Sequence, residues 1–273
     1  MTAAHRGHDR AQGQVSLTGE AAIAVVTLAN PSKHNAMTRA MWSALKAVFE
    51  GLQADAHWRC VLVRGEGAHF CAGGDIAEYP GFRFDAASLR DFHERDVWGA
   101  LAAMLACDVP IVAAIAGNCL GAGIEIASCA DIRVAADDAR FGAPIARLGF
   151  PMAPREATLV ARVAGAPTAR EMLLEAAVLD AAEMKARGFL NHVLPAAELT
   201  DHAHQRAARI AALAPGAARR NKQTLRALNR VPALDEQAQH AIENIVATAY
   251  DYADSGEHRE GIAAFLHKRP ARF

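Results

Sequence analysis

"PIVAAIAGNCLGAGIEIASCA", residues 110–130, is the stretch whose reading decides the fold. It has the length of a membrane span. Asn118 and Glu125 interrupt it, however, and Pro110 and Asp131 bound it. A carboxylate in hydrocarbon is expensive. A buried strand over "PIVAAIAG", a glycine turn and then a buried helix fit the same residues without that cost. No membrane span is expected.

Working outward, the same alternation recurs upstream. "AAIAVVTLAN" (21–30) is rich in β-branched residues and stops at Pro31, as a strand does. "TRAMWSALKAVFEGLQAD" (38–55) places Met41, Leu45, Val48, Phe49 and Leu52 at helical spacing, with Thr38 as N-cap. "RCVLVRGEG" (59–67) is the next strand and "DAASLRDFHERDVWGALAAMLACD" (85–108) the next helix. Strand, helix, strand, helix, strand predicts crossover units and an α/β fold. "DIRVAADDARFGAP" (131–144) then gives two short strands joined by "ADDA". After about residue 155 the segments are all helix-like, among them "AAELTDHAHQRAARIAALAP", "GAARRNKQTLRALNR" and "ALDEQAQHAIENIVATAYDYAD". Pro151, Pro167, Pro195, Pro215 and Pro232 punctuate them. An α/β half followed by a helical half is expected.

Composition narrows the function. The 273 residues are 52% hydrophobic and 22% charged, as in a globular protein with a sizeable core. Lys plus Arg number 29 against 30 Asp plus Glu, so no bulk charge calls for nucleic acid. Five cysteines with no C-x-x-C pair argue against disulfides and zinc, and for a reducing, cytoplasmic setting. His202 and His204 are off same-face helical spacing, so no metal site is expected. Residues 1–13 are polar, without the apolar stretch of a secretory signal, and read as a flexible tail.

Two glycine-rich segments remain. Neither is a Walker loop, since Lys and the hydroxyl are missing. "GEGAHF" has Phe70 where a dinucleotide fingerprint needs its third glycine, and "GNCLGAG" has the wrong spacing. Both segments instead follow strand ends: "FCAGGD" after 60–64, "GNCLGAGIE" after 110–116. If those strands neighbour each other in a parallel sheet, both loops emerge at one edge. Convergent N–H groups there make an oxyanion hole, worth about 2.7–4 kcal/mol per donor. Tight turns alone would also explain the glycines. Glu125 tips the balance, because a glutamate in "LGAGIEIASCA" is desolvated and its pKa rises toward values useful for proton transfer. Arg133, Arg147 and Arg155 are the alternative, as ion-pair partners.

Four stretches together resemble the crotonase superfamily, the enoyl-CoA hydratases and isomerases. They are "TLANPSKHNAMT" (27–38), "VRGEGAHFCAGGDIAE" (63–78), "IAGNCLGAGIEIASCADIRVAADDARFGAP" (115–144) and "GIAAFLHKRPARF" (261–273). The resemblance implies an α/β spiral of ββα units over 14–210 and a C-terminal helical region over 211–273 that assembles homotrimers, or hexamers as dimers of trimers. It implies an acyl-CoA substrate, with coenzyme A as part of the thioester and no prosthetic group. The thioester oxygen would lie between the N–H groups of Gly74 and Ala122, which stabilise an enolate. Glu125 matches the first of the two hydratase glutamates. Lys33, Ala72, Asp75 and Ile76 would line the nucleotide arm. Phe265 and Lys268, from this or a neighbouring subunit, would touch adenine and phosphates.

The sequence also departs from the family. The second glutamate belongs in "FGxPE", and "FGAPI" has Ile145 there, which can neither give nor take a proton. Arg155 stands where hydratases have a small residue. It would pair with Glu125, hold a substrate carboxylate, or meet a subunit contact. His93 would approach the acyl pocket or stay structural. Hydration with Glu125 alone leads. Isomerisation, decarboxylation or hydrolysis of a carboxylated acyl-CoA, and a non-catalytic binding role are the alternatives.

Overall fold

The structure, a computed structural model, describes residues 13–228, 247 and 250–272. The tail expected over 1–13 and the helix expected from 233 therefore fall largely outside the described residues. Within them the strand–helix alternation is present. Strands β1 (Gln14–Glu20) and β2 (Ile23–Ala29) form an antiparallel hairpin. Then come α1 (Arg39–Ala54), β3 (Cys60–Gly65), α2 (Ala86–Asp91), α3 (Trp98–Ala106), β4 (Ile111–Ile115), β5 (Asn118–Leu120) and α4 (Ala122–Ser128). Thr38 caps α1 by accepting from the Met41 N–H at 3.1 Å.

One six-stranded sheet runs β1-β2-β3-β4-β6-β9, parallel from β2 onward. Here β6 is Ile132–Ala136 and β9 is His192–Leu194. Strands β3 and β4 are neighbours, Val61 opposite Ile111, so the two glycine loops do leave the same edge. A second, three-stranded sheet joins β5 to β7 (Arg140–Gly142) and β8 (Val178–Asp180). Successive strand residues face opposite sides. Val61, Val63, Ile111 and Ala113 accordingly pack with Leu45 and Phe49 of α1 and Leu101 and Met104 of α3. Cys60, Leu62, Val112 and Ala114 pack with Leu199, Ala203 and Ala207 of α8 (Leu199–Ala211). Burial on both faces is why these strands read as unbroken apolar runs.

The second half is less purely helical than the sequence suggests. Helices α5 (Pro154–Ala164), α6 (Ala166–Leu174), α7 (Ala181–Ala186) and α9 (Pro215–Leu228) are present, but β8 and β9 lie between them and complete the two sheets. Three-residue strands carry no readable period. Helix α9 docks through polar groups. Lys222 pairs with Asp131 at 2.8 Å and Arg226 with Asp108 at 2.7 Å. Helix α10 (Gly256–Leu266) packs its Ile262 against Tyr79 and Phe150, bringing the C-terminal segment onto the edge where the glycine loops meet. Among the described residues no helix is long and apolar enough to cross a membrane.

Candidate active site

Backbone bonds stitch the two glycine loops together. Cys71 N–H donates to the Asn118 carbonyl and Leu120 N–H returns to that of Cys71, each at 2.9 Å. On the other side, Met37 N–H donates to Gly73 O and Asp75 N–H to Met37 O, each at 2.8 Å. Those bonds use the groups flanking Gly74, so its own N–H points to the opposite edge of the segment. Ala122 is the first residue of α4, and its N–H has no intrahelical acceptor. Among the described residues neither amide has a protein acceptor, and both residues line one cavity of about 820 Å³. At Gly74 a Cβ would stand 2.2 Å from the Tyr79 hydroxyl oxygen and 3.1 Å from its Cζ, so any side chain there must push the buried Tyr79 ring aside.

Glu125 follows one turn after Ala122 and lines the same cavity. It is 9% exposed, and among the described residues nothing hydrogen-bonds to its carboxyl oxygens. Burial, reinforced by the negative charge of Glu156 and opposed by Arg83, pushes its pKa from 4.5 up to about 8. The carboxyl is therefore mostly protonated at neutral pH. None of the three expected arginines pairs with it. Arg133 donates to the carbonyls of Phe189, Ala127 and Ala130, and Arg147 to that of Ala176 at 2.9 Å.

Arg155 neither pairs with Glu125 nor lines the cavity, and of the three expectations for it a subunit contact is the one its exposure fits. It is half exposed and pairs with Glu94 at 3.2 Å, away from the cavity. Its neighbour Glu156 points inward instead, 2% exposed, because adjacent helix residues project about 100° apart. Glu156 continues the inward stripe of Leu159 and Val160, a spacing the sequence already carried.

The inward Glu156 anchors His93. Helix α2 widens to a π-helical turn over Phe92–Val97 before α3, and His93 projects from it onto the cavity wall. Its Nδ1 lies 3.2 Å from Glu156 Oε1 and its Nε2 lies 3.3 Å from Arg83 Nη1. A guanidinium only donates, so Nε2 accepts and the proton sits on Nδ1. Burial lowers the His93 pKa despite Glu156, keeping the ring neutral. Arg83 is itself buried. It donates to Tyr252 Oη at 3.1 Å and to His258 Nε2 at 3.5 Å, and lies over the rings of Tyr79 and Phe150. Sequence reasoning missed Tyr79, Arg83, Glu156 and His258. Only Glu156 left a periodic signal.

The cavity also gathers Lys33, Ala72, Asp75, Ile76, His93, Ile145, Phe265 and Lys268. Of the anticipated site residues only Arg155 stays out. Lys33 bonds to Asp75 at 2.5 Å near the mouth, and Ile145 packs among Tyr79, Phe150 and Ile262. Among the described residues no cluster of three metal-ligating side chains occurs.

A cavity at the carboxyl edge of a parallel sheet, walled by two stitched glycine loops and a C-terminal helix, defines the crotonase superfamily architecture. The profile of the enoyl-CoA hydratase/isomerase family matches residues 18–273, and the chain belongs to that family. A probable enoyl-CoA hydratase of Mycobacterium bovis, echA8, is 31% identical over 253 residues, covering 92% of this chain and 94% of the relative. The crystal structure of an enoyl-CoA hydratase/carnithine racemase from Magnetospirillum magneticum superposes with a TM-score of 0.77 at 35% identity, over 95% of this chain and 94% of that one. Methylmalonyl-CoA decarboxylase in complex with 2-nitronate-propionyl-CoA gives 0.82 at 25% identity, over 95% and 98%.

Proposed function

We propose that this chain is an enoyl-CoA hydratase-type enzyme in which the thioester oxygen is held by the N–H groups of Gly74 and Ala122 and Glu125 moves the proton at the α-carbon. The observation that carries this is the unpartnered carboxyl of Glu125, mostly protonated at neutral pH, in the cavity that both free amides share. When water adds to the β-carbon, negative charge moves onto the thioester oxygen, where the two amides stabilise it. Glu125 then protonates the α-carbon of the enolate. Water gives up one proton as its oxygen bonds to the β-carbon, and that proton needs an acceptor, which Ile145 is not; its return to Glu125 restores the acid for the next turnover. His93, neutral and on the cavity wall, is the acceptor we assign; its Nε2 accepts from Arg83 at 3.3 Å in the free enzyme and takes the proton when that long bond is given up.

Along the same cavity, Lys33, Ala72, Asp75 and Ile76 suit the pantetheine and nucleotide arm, and Lys268 and Phe265 on the rim suit its phosphates and adenine. The exposed Leu213 and Leu225 of the C-terminal region are where we place the contacts of a homotrimer, to be checked by light-scattering mass. The five cysteines, free and buried, fit a reducing cytoplasm.

Ile145 favours a second reading. Loss of CO₂ from a malonyl-type thioester leaves the same enolate and needs only a proton donor, which Glu125 supplies. Crotonyl-CoA, a 3-enoyl-CoA and methylmalonyl-CoA, assayed side by side, separate the reactions. Hydration of crotonyl-CoA is expected, falling about 10²–10⁴-fold in Glu125→Gln while butyryl-CoA still binds. Unchanged turnover in that variant overturns the role of Glu125.

A further inference from the structure

We infer that the substrate carries a second carboxylate beyond its reacting carbons, and that Arg83 is the residue that binds it. The inference rests on the acyl-CoA reading above and narrows it to the mono-thioester of a dicarboxylic acid.

Arg83 is 1% exposed and lines the cavity with the apolar Trp42, Phe92, Val97, Phe150 and Met152 and with Glu125, whose carboxyl feels its charge without bonding to it. Removing a guanidinium from water costs several kcal/mol unless a counter-charge and full hydrogen bonding compensate. Among the described residues no carboxylate lies within ion-pair distance of it. Its partners are all neutral: His93 Nε2, His258 Nε2 and Tyr252 Oη, at 3.1–3.5 Å. Charge-assisted bonds to a carboxylate run at about 2.7–2.9 Å. Both imidazoles are fixed as acceptors, since His258 Nδ1 donates to the Ala253 carbonyl at 2.9 Å while His93 Nδ1 faces Glu156. The fork is held by aromatic faces, with the Phe150 centroid 4.0 Å and the Tyr79 centroid 4.4 Å from its central carbon. Arg133 makes the contrast, since its guanidinium is used up on backbone carbonyls.

A rigid cation with long, neutral partners matches a planar anion that arrives with the ligand. Of the three partners only His93 lines the cavity, so the carboxylate enters on that side and replaces the 3.3 Å bond to Nε2. The same exchange frees Nε2 for the water in the proposed hydration. A carboxylate bound this way is retained in the product. Its departure as CO₂ would leave Arg83 without its counter-charge.

The test uses saturated, unreactive thioesters in matched pairs: succinyl- against butyryl-, glutaryl- against valeryl-, adipyl- against hexanoyl-CoA. In wild type, one acid of the series is expected to bind at least about tenfold tighter than its methyl-ended partner. Arg83→Gln removes that preference, and Arg83→Lys restores only part of it. If Arg83→Gln does not fold, the wild-type pairs decide. Methyl-ended thioesters that bind as well as every acid overturn the inference and leave the acyl-CoA reading standing. A preference that survives Arg83→Gln overturns it too. Failure of all six to bind overturns both.

Discussion

At the residue scale, the identity of one glutamate matters less than its surroundings. Glu125 was legible as a desolvated acid, because a lone charge in "LGAGIEIASCA" has nowhere polar to go. The charge that acts on it was missed although its spacing was there: the sequence puts Arg155 and Glu156 side by side, and the stripe of Leu159 and Val160 turns Glu156 inward. Two outcomes follow from the raised pKa of Glu125. As proton donor it acts in its protonated form, so turnover should fall as pH rises through about 8, read from a kcat profile between pH 6 and 9. For stability, the folded protein holds this proton while the unfolded chain releases it above the ordinary value of 4.5. Stability therefore falls across the window from about 4.5 to about 8 by an amount on the order of a few kcal/mol. Glu125→Gln removes that fall. Its thermal midpoint should exceed that of wild type at pH 8, with the gap closing toward pH 5. A constant gap would mean that the carboxyl titrates normally.

The element scale is where the glycine loops acquire their purpose. The two apolar runs and the helix between them made β3 and β4 a crossover unit, and the pairing of Val61 with Ile111 makes them parallel neighbours. The stitching was not readable, since apart from His69 Nδ1, which accepts from the Asn118 N–H at 3.1 Å, it consists of backbone bonds. Gly123 shows how tight it is. A Cβ there would lie 2.5 Å from the Cys71 carbonyl oxygen and 3.2 Å from the Cys71 Cβ. That oxygen accepts the Leu120 N–H and cannot withdraw without loosening the seam between the loops. In an open helix Gly→Ala gains about 1 kcal/mol. Here overpacking, about 1–3 kcal/mol, should win. Gly123→Ala is expected to lower the thermal midpoint and to reduce kcat, because it shifts Ala122 relative to Gly74. A midpoint equal to or above that of wild type would show that the seam yields freely. The π-helical turn that presents His93 left one mark that went unread: the buried apolar positions step by five from Phe92 to Val97, where an α-helix steps by three or four.

At the scale of the whole molecule, the C-terminal helix closes the site, and His258 is the bolt. Nothing in "GEHREGIAAFL" marks that histidine, since its partners lie 175 residues away, at Arg83, or in the turn before it. Within α10 it is fully buried, in contact with the rings of Phe84, Phe150 and Tyr252. Burial first, then the nearby positive charges of Arg83 and Arg259, brings its pKa from 6.5 to about 4, although the bond to Ala253 works the other way. The folded state thus keeps the ring neutral where the unfolded chain protonates it. Its contribution is complete above about pH 6.5 and is lost as pH falls toward about 4. Glu125 has the opposite slope over part of this range, so the wild-type curve alone does not isolate the histidine. The difference from His258→Asn does, because the amide can keep the bond to Ala253 and carries no proton. In urea titrations wild type should exceed His258→Asn most at pH 7. The gap should narrow by on the order of a few kcal/mol by pH 4.5. If it stays constant, acid does not open the molecule at this helix, and the weak point lies elsewhere in the fold.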